Sequence, residues 1–171
     1  MCSKRYKSQI IIRGCVHLIE YLIRSAKRSD LAGICEIENS SFTEPYPRFL
    51  LSRLLHDHSG NFLVAESKEG RLVGYCVAST DQSSAHLISV AVSPHRRRIK
   101  IGTGLMETLM EHLIDRGIED IWLELKLENK QALGLYRKLG FRKASLVPNY
   151  YSDGSDALRM HKILRPTIED R

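Results

Sequence analysis

Between Ala85 and Leu113 the chain reads AHLISVAVSPHRRRIKIGTGLMETLMEHL, and this stretch restricts the possible folds more than any other. Ala85 to Val92 is apolar and β-branched, as a strand requires, and Pro94 ends it. Leu105, Met106, Leu109, Met110 and Leu113 then recur at helical spacing. The segment is therefore a strand, a basic glycine-containing turn and an amphipathic helix. N–H groups at a helix start lack partners, the helix dipole makes that end positive, and glycine permits close approach to the backbone. A phosphate or pyrophosphate suits such a turn; a plain basic loop in a basic protein is the competing reading. The patterns G-x-x-x-x-G-K-[ST] and G-x-G-x-x-G are both absent.

At 171 residues and 19.5 kDa the chain has room for one α/β domain with a substantial core. Apolar residues make up 43% and charged residues 27%, which excludes a disordered chain. No apolar run reaches membrane-spanning length, and MCSKRYKSQIIIRG lacks the long h-region and cleavage site of a signal peptide. A soluble, cytoplasmic protein is expected. Cys2, Cys15, Cys35 and Cys76 form no C-x-x-C or Cys/His pattern, so neither zinc nor a disulfide framework is expected. Cys35 and Cys76 read as buried thiols. The formal charge of +6 suits an anionic cofactor or a nucleic-acid or ribosomal surface, without choosing between them.

Residues 1–17 read as an extension, with Ile10 to Ile12 as a possible edge strand, residues 18–164 as the domain and 165–171 as a polar tail. Tyr21 to Arg24 is a first strand. Ser29-Asp30 supplies a cap and a first-turn acid for a helix carrying Leu31, Ile34, Cys35 and Ile37, and Pro47 suits the first turn of a second with Phe49, Leu50, Leu54 and Leu55. Phe62 to Ser67 and Leu72 to Ala78 form a hairpin through Glu69-Gly70. After the central helix stops at Gly117, Ile121 to Leu127 alternates, with Trp122, Glu124 and Lys126 on the polar face. Asn129 caps a fourth helix that Gly140 ends, and strands at Phe141 to Val147 and Ala157 to Ile163 close the chain. This order predicts a mixed α/β, or α+β, fold with about four helices. Its sheet is mostly antiparallel, with parallel pairing of Ala85–Val92 and Ile121–Leu127.

Several motifs resemble the GNAT superfamily of N-acyltransferases. Val92-Ser-Pro94, Arg97 and Ile101-Gly102-Thr103 are similar to its acetyl-CoA pyrophosphate loop, [Q/R]-x-x-G-x-[G/A]. Asn129-x-x-Ala132-x-x-Leu135-Tyr136-x-x-Leu139-Gly140-Phe141 resembles its second motif. Trp122-Leu-Glu124-Leu and Tyr150-Tyr151-Ser-Asp153-Gly154-Ser-Asp156-Ala157-x-x-Met160 are similar to the RimI-like and NatA catalytic-subunit branch of N-terminal protein acetyltransferases, as are His86 and Glu44. The resemblance covers Tyr21 to Leu164. One departure stands out: Lys100 occupies the position of the loop's first glycine, which would strain it if that position needs a positive φ. Gly102-Thr103-Gly104 is the alternative source of flexibility.

The resemblance implies transfer of acetyl from acetyl-CoA to the α-amine of protein N-termini by direct attack. Val90, Ala91, Val92, Arg97, Arg98, Lys100, Ile101, Gly102, Thr103, Gly104, Asn129 and Tyr136 would bind the cofactor. An α-amine with a pKa near 8 must lose a proton before attack, so a base is required. Glu124, His86 and Glu44 remain open for that role, and Tyr136 would protonate the departing thiolate. Glu44, Pro45, Tyr46, Tyr150 and Tyr151 would hold the peptide. Each residue has a plainer reading: Tyr136 as core, Glu124 as a salt-bridge partner, His86 as a structural histidine, Glu44 as a loop acid and the tyrosines as loop packing. Arg96, Arg97 and Arg98 would surround the phosphates or touch ribosomal RNA. Expected partners are nascent or ribosomal proteins, with no membrane and no specific nucleic acid, for a monomer or weak dimer. Rival functions are acetylation of a polyamine or aminoglycoside, and an inactive CoA- or ribosome-binding module.

Overall fold

The computed structural model describes the backbone of Tyr6–Ser8 and residues 21–164. Its elements are β1 (Tyr6–Ser8), β2 (Tyr21–Ser25), α1 (Leu31–Ser41), α2 (Arg48–Asp57), β3 (Phe62–Ser67), β4 (Leu72–Asp81), β5 (Ser84–Val92), α3 (Ile101–Asp115), β6 (Asp120–Lys126), α4 (Lys130–Lys138), β7 (Arg142–Val147) and β8 (Ala157–Ile163). They belong to two compact units, one within residues 1–78 and 89–109, the other within 79–88 and 110–171. The readings of Ile10–Ile12 and of the tail from Arg165 lie outside the described residues.

In the first unit, β1, β2, β3 and β4 pair antiparallel in chain order. Phe62, Leu63, Val64, Ala65, Tyr75, Cys76 and Val77 are fully buried, which explains why β3 and β4 read as apolar runs instead of alternating. Ile34 and Ile37 of α1, Leu51 and Leu55 of α2, and Ile101, Leu105, Met106 and Leu109 of α3 are buried with them. Cys76 is buried as expected, whereas Cys35 is half-buried. Pro47, expected inside the first turn of α2, is instead its extended N-cap at φ −65° and ψ 150°. Asp30, expected as the first-turn acid behind a Ser29 cap, itself stands at the N-cap position of α1 at the end of a short 3-10 turn, and its carboxylate turns to Arg24, with contacts of 2.7 and 2.9 Å.

Gly104 lies inside α3 because of a neighbour. A Cβ there would sit 2.6 Å from the Tyr21 hydroxyl, which donates to the Lys100 carbonyl at 3.4 Å. Gly104→Ala is expected to destabilise the protein by about 1–3 kcal/mol, as overpacked cores do. Thermal unfolding checks this, and Tyr21→Phe in the same background should recover most of the loss.

In the second unit the strand order is β5, β6, β8, β7. β5 runs parallel to β6, with Ser84, Ala85 and His86 beside Asp120, Ile121 and Trp122, while β6–β8 and β8–β7 are antiparallel. The expected parallel pair is thus present within a mixed sheet. Strand alternation on β6 buries Ile121, Leu123 and Leu125, leaving Trp122, Glu124 and Lys126 on the other face. Gly117 and Gly140, at φ +77° and +87°, make the left-handed turns that end α3 and α4.

Candidate active site

The turn between β5 and α3 carries its cations outward. Arg96, Arg97, Arg98 and Lys100 are exposed, and Arg97 Nε donates to the Val92 carbonyl at 3.1 Å, tying the loop to its strand. Val90 and Val92 are half-buried and Ala91 is buried. The Lys100 carbonyl accepts the Gly104 N–H at 2.9 Å, so the N–H groups of Ile101, Gly102 and Thr103 precede the first bonds of α3. The loop therefore joins free helix-start donors to four cations, a combination that fits a pyrophosphate.

Lys100 itself takes the positive φ, +63°, and Arg98 takes +65°. Gly102 and Gly104 already lie in α3 and supply no flexibility to the loop. A left-handed non-glycine residue costs roughly 1–2 kcal/mol, partly offset by the entropy of an unfolded glycine. Lys100→Gly is therefore expected to raise the thermal midpoint by about 2–4 °C, the shift of about 1 kcal/mol in a chain of this size. Lys100→Ala, which keeps a Cβ, should give no such gain.

In the second unit, polar side chains converge on Glu124, whose side chain is only 3% exposed. The parallel pairing sets His86 beside Trp122, and the rings stack at 3.8 Å and 11°. His86 Nε2 then lies 2.9 Å from Glu124 Oε2. The antiparallel pairing sets Arg159 opposite Glu124, and its Nε donates to Oε1 at 2.8 Å, with the guanidinium 4.9 Å from the centre of the Trp122 ring. Tyr150 Oη donates to Oε2 at 3.4 Å. Both carboxylate oxygens are engaged. Donation from His86 Nε2–H leaves Nδ1 as the acceptor of the imidazole, which is 27% exposed.

The loop between β7 and β8 is anchored over the same face. Tyr151 meets Tyr150 edge-on at 5.1 Å, and Lys126 lies 4.8 Å from the Tyr151 ring centre while pairing with Asp153. The Lys126 hydrogen bond, followed by those from Ser155, holds the Asp153 carboxyl below the usual range. Tyr136 is buried on α4, edge-on to Phe141 at 5.5 Å. Asn129 caps α4, its Oδ1 accepting the Ala132 N–H at 3.0 Å.

The first unit contains a buried acid that sequence reasoning missed. Glu38 on α1 is 2% exposed; it accepts from the Tyr75 hydroxyl and, at 2.9 Å, from the Tyr46 N–H. Ser89 Oγ completes the chain 2.9 Å from Tyr75 Oη. Burial, then the charge of Glu38, push both the Tyr75 and Tyr46 phenols up, so both remain proton donors at neutral pH. Glu44 and Pro45 are exposed in the loop that ends at Tyr46. The clue to Glu38 was available, because it falls four residues after Ile34 and seven after Leu31, on the apolar stripe. Arg159 was also missed, although it alternates with buried Leu158 and Met160. No helix among the described residues is long and apolar enough to cross a membrane.

Comparison with known proteins places the chain in a family. The profile of the acetyltransferase (GNAT) family matches residues 31–141. An N-alpha-acetyltransferase of Sulfurisphaera tokodaii is 32% identical over 154 residues, covering 82% of this chain and 92% of the relative. The [ribosomal protein bS18]-alanine N-acetyltransferase of Escherichia coli is 30% identical over 141 residues, covering 81% and 94%. Among solved structures, Ard1 from Thermoplasma volcanium superposes with a TM-score of 0.82 at 29% identity, covering 85% of this chain and 99% of that one.

Proposed function

This chain belongs to the acetyltransferase (GNAT) family, and from that membership we propose that it acetylates the α-amines of protein N-termini, using acetyl-CoA. The observation that carries the reading is the contact between His86 Nε2 and Glu124 Oε2, with the other carboxylate oxygen held by Arg159. It leaves Nδ1 of His86 as the acceptor for the proton that an α-ammonium must lose, while Glu124 stabilises the imidazolium that forms. Of the three candidate bases, this contact supports His86 for proton transfer, with Glu124 orienting it. Bound acetyl-CoA supplies an activated acetyl thioester. The N–H groups of Ile101, Gly102 and Thr103, with Arg97, Arg98 and Lys100, would hold its phosphates, and Asn129 would contact its pantetheine region. The end of β5 at Val90–Val92 would offer backbone donors to the acetyl oxygen. Tyr136 would return a proton to the departing sulfur.

Direct attack is favoured because no cysteine lies in the motifs of the site to form an acyl-enzyme, and burial pushes the Cys76 thiol up. Relatives named for N-alpha and ribosomal-protein alanine acetylation support protein N-termini over small amines, with nascent or ribosomal proteins as the partners. Tyr46, Tyr150 and Tyr151, together with Pro45 and Glu44, would grip the peptide backbone. The test is transfer from labelled acetyl-CoA to peptides beginning Ser, Ala, Thr, Met-Leu and Met-Glu, beside spermidine and an N-terminally blocked lysine peptide. Transfer to free N-termini alone is expected. Transfer only to spermidine or lysine would overturn the reading, as would no transfer at all.

A further inference from the structure

The segment RKLGFRK, Arg137 to Lys143, has four cations and no acid in its run, and the acetyl-transfer reading uses none of them. It leads from the end of α4 into β7, which lies at the edge of its sheet; no other strand among the described residues pairs with its outer side. At the start of β7 is a recess of about 490 Å³ lined by Arg142, Lys143, His161 and Lys162, with no carboxylate in its wall. The antiparallel register sets Arg142 opposite His161 on one face of the sheet, and Lys143 opposite Met160, two residues before Lys162, on the other. Cations therefore flank the edge on both sides. Asp120, 3.5 Å from His161 Nε2, also accepts the Ser84 hydroxyl at 2.6 Å and offsets only part of this charge.

Local structure accounts for some of these residues. Arg137 and Lys138 lie in the last turn of α4, and Lys162 Nζ donates to the Leu139 carbonyl at 2.6 Å, so these three complement the negative helix end. Arg142 and Lys143 have no such task. Charges on an edge strand discourage pairing with another chain, and lysine is much used for this, so edge protection accounts for Lys143. It does not call for Arg142 beside it, or for a run of four cations without an acid.

We propose that this cationic edge, centred on Arg142 and Lys143, is an RNA-binding surface that takes backbone phosphates without reading base sequence. A phosphodiester chain presents charge at every step and needs no matching side chains. Cations flanking both sides of an exposed edge suit it better than an acidic peptide lying on one face. A guanidinium can also hold one phosphate by two parallel hydrogen bonds. The inference stands apart from the acetyl-transfer chemistry.

Fluorescence anisotropy of the full chain with a labelled polyuridine of about 20 nucleotides, over a salt series starting at about 50 mM, tests it. Arg142→Glu with Lys143→Glu should weaken binding by about tenfold or more at low salt. It should also reduce the steepness of log K against log salt by about 1.4, at about 0.7 per phosphate contact. Lys68→Glu with Arg71→Glu, the same charge change in the β3–β4 turn, should shift binding by no more than about twofold, through screened long-range charge alone. Arg142→Gln with Lys143→Gln, which keeps the edge polar, should give an intermediate loss. Unchanged thermal midpoints and unchanged acetylation of a short peptide would separate RNA binding from folding and catalysis. Equal weakening by the two charge-reversed proteins would overturn the proposal in favour of net charge. So would failure of the unaltered protein to bind RNA. Binding of labelled polyglutamate as tight as that of RNA, lost in the same variant, would also overturn it by making the partner an acidic protein.

Discussion

Replacing Glu124 by Gln is expected to lower kcat by about two to four orders of magnitude, the range for losing assisted proton transfer, with acetyl-CoA binding retained. The carboxylate accepts from His86 through one oxygen and from Arg159 through the other. A carboxamide can accept through only one atom, and its NH2 would face either a guanidinium or a ring N–H. If the NH2 turns to His86, the ring must accept there, and the lone pair on Nδ1 is lost to the tautomer change. His86→Gln should produce a comparable loss. The double variant should be little worse than either single one, because residues acting as a unit are strongly non-additive. Single-turnover acetylation, beside a CoA titration, reads this. Effects that multiply would mean that the two residues act separately, and an unchanged kcat in Glu124→Gln would remove Glu124 from the chemistry. Arg159→Leu, freeing one carboxylate oxygen, should give a smaller loss that Arg159→Lys partly restores.

The largest stability effect is expected at Asp30. Arg24 is held by two acids: Asp30 meets both terminal nitrogens, and Glu66 accepts from Nε at 2.6 Å. The Arg24 and Asp30 side chains are 14% and 9% exposed, and Asp30 Oδ2 also accepts the Lys27 N–H at 2.7 Å. Removing one partner of a buried pair typically costs about 3–5 kcal/mol, because the other charge is stranded. Asp30→Ala is expected near the lower end, about 3 kcal/mol, because Glu66 still faces Arg24. That is a fall of about 6–12 °C in thermal midpoint. Arg24→Met with Asp30→Leu should be milder than Asp30→Ala alone, because the one carboxylate it leaves without Arg24, that of Glu66, is 28% exposed and can be solvated.

The same pair sets a pH dependence. Burial raises the Asp30 carboxyl, but the hydrogen bonds from Arg24 and the Lys27 N–H outweigh it, and the folded pKa lies below the ordinary value. A depressed acid stabilises the folded state fully above its unfolded pKa of about 3.9 and loses that contribution as the pH falls from there through the folded value. Asp30→Asn should therefore show a shallower acid decline than the unaltered protein. Parallel declines in acid unfolding curves would show that Asp30 does not contribute.

Elements whose signals are local were legible in the sequence. The strand-turn-helix around Pro94, the hairpin at Glu69-Gly70, the Asn129 cap and the glycine stops at 117 and 140 each depend on residues within a few positions of one another. They appear where those residues dictate. Alternation likewise marked Trp122, Glu124 and Lys126 as one face of β6. Its partners were less legible. His86 and Arg159 meet Glu124 across 38 and 35 residues because β5 runs parallel and β8 antiparallel to β6, and register across that distance leaves no local mark. Glu38 was hidden for a related reason: an acid on an apolar stripe is tolerable only if buried donors meet it, and here they are Tyr75, 37 residues away, and the Tyr46 N–H.

By itself the sequence determined the kinds of element, their order, the basic helix-start loop and the family to which the chain belongs, because periodicity, capping and motif spacing are properties of neighbouring residues. The tertiary structure alone decided that Lys100 bears the left-handed strain, that Gly104 exists to admit Tyr21, and that Glu124 is shared between an imidazole and a guanidinium. Those outcomes depend on side chains distant in sequence being packed to within hydrogen-bonding distance, and only the folded sheet fixes which ones meet.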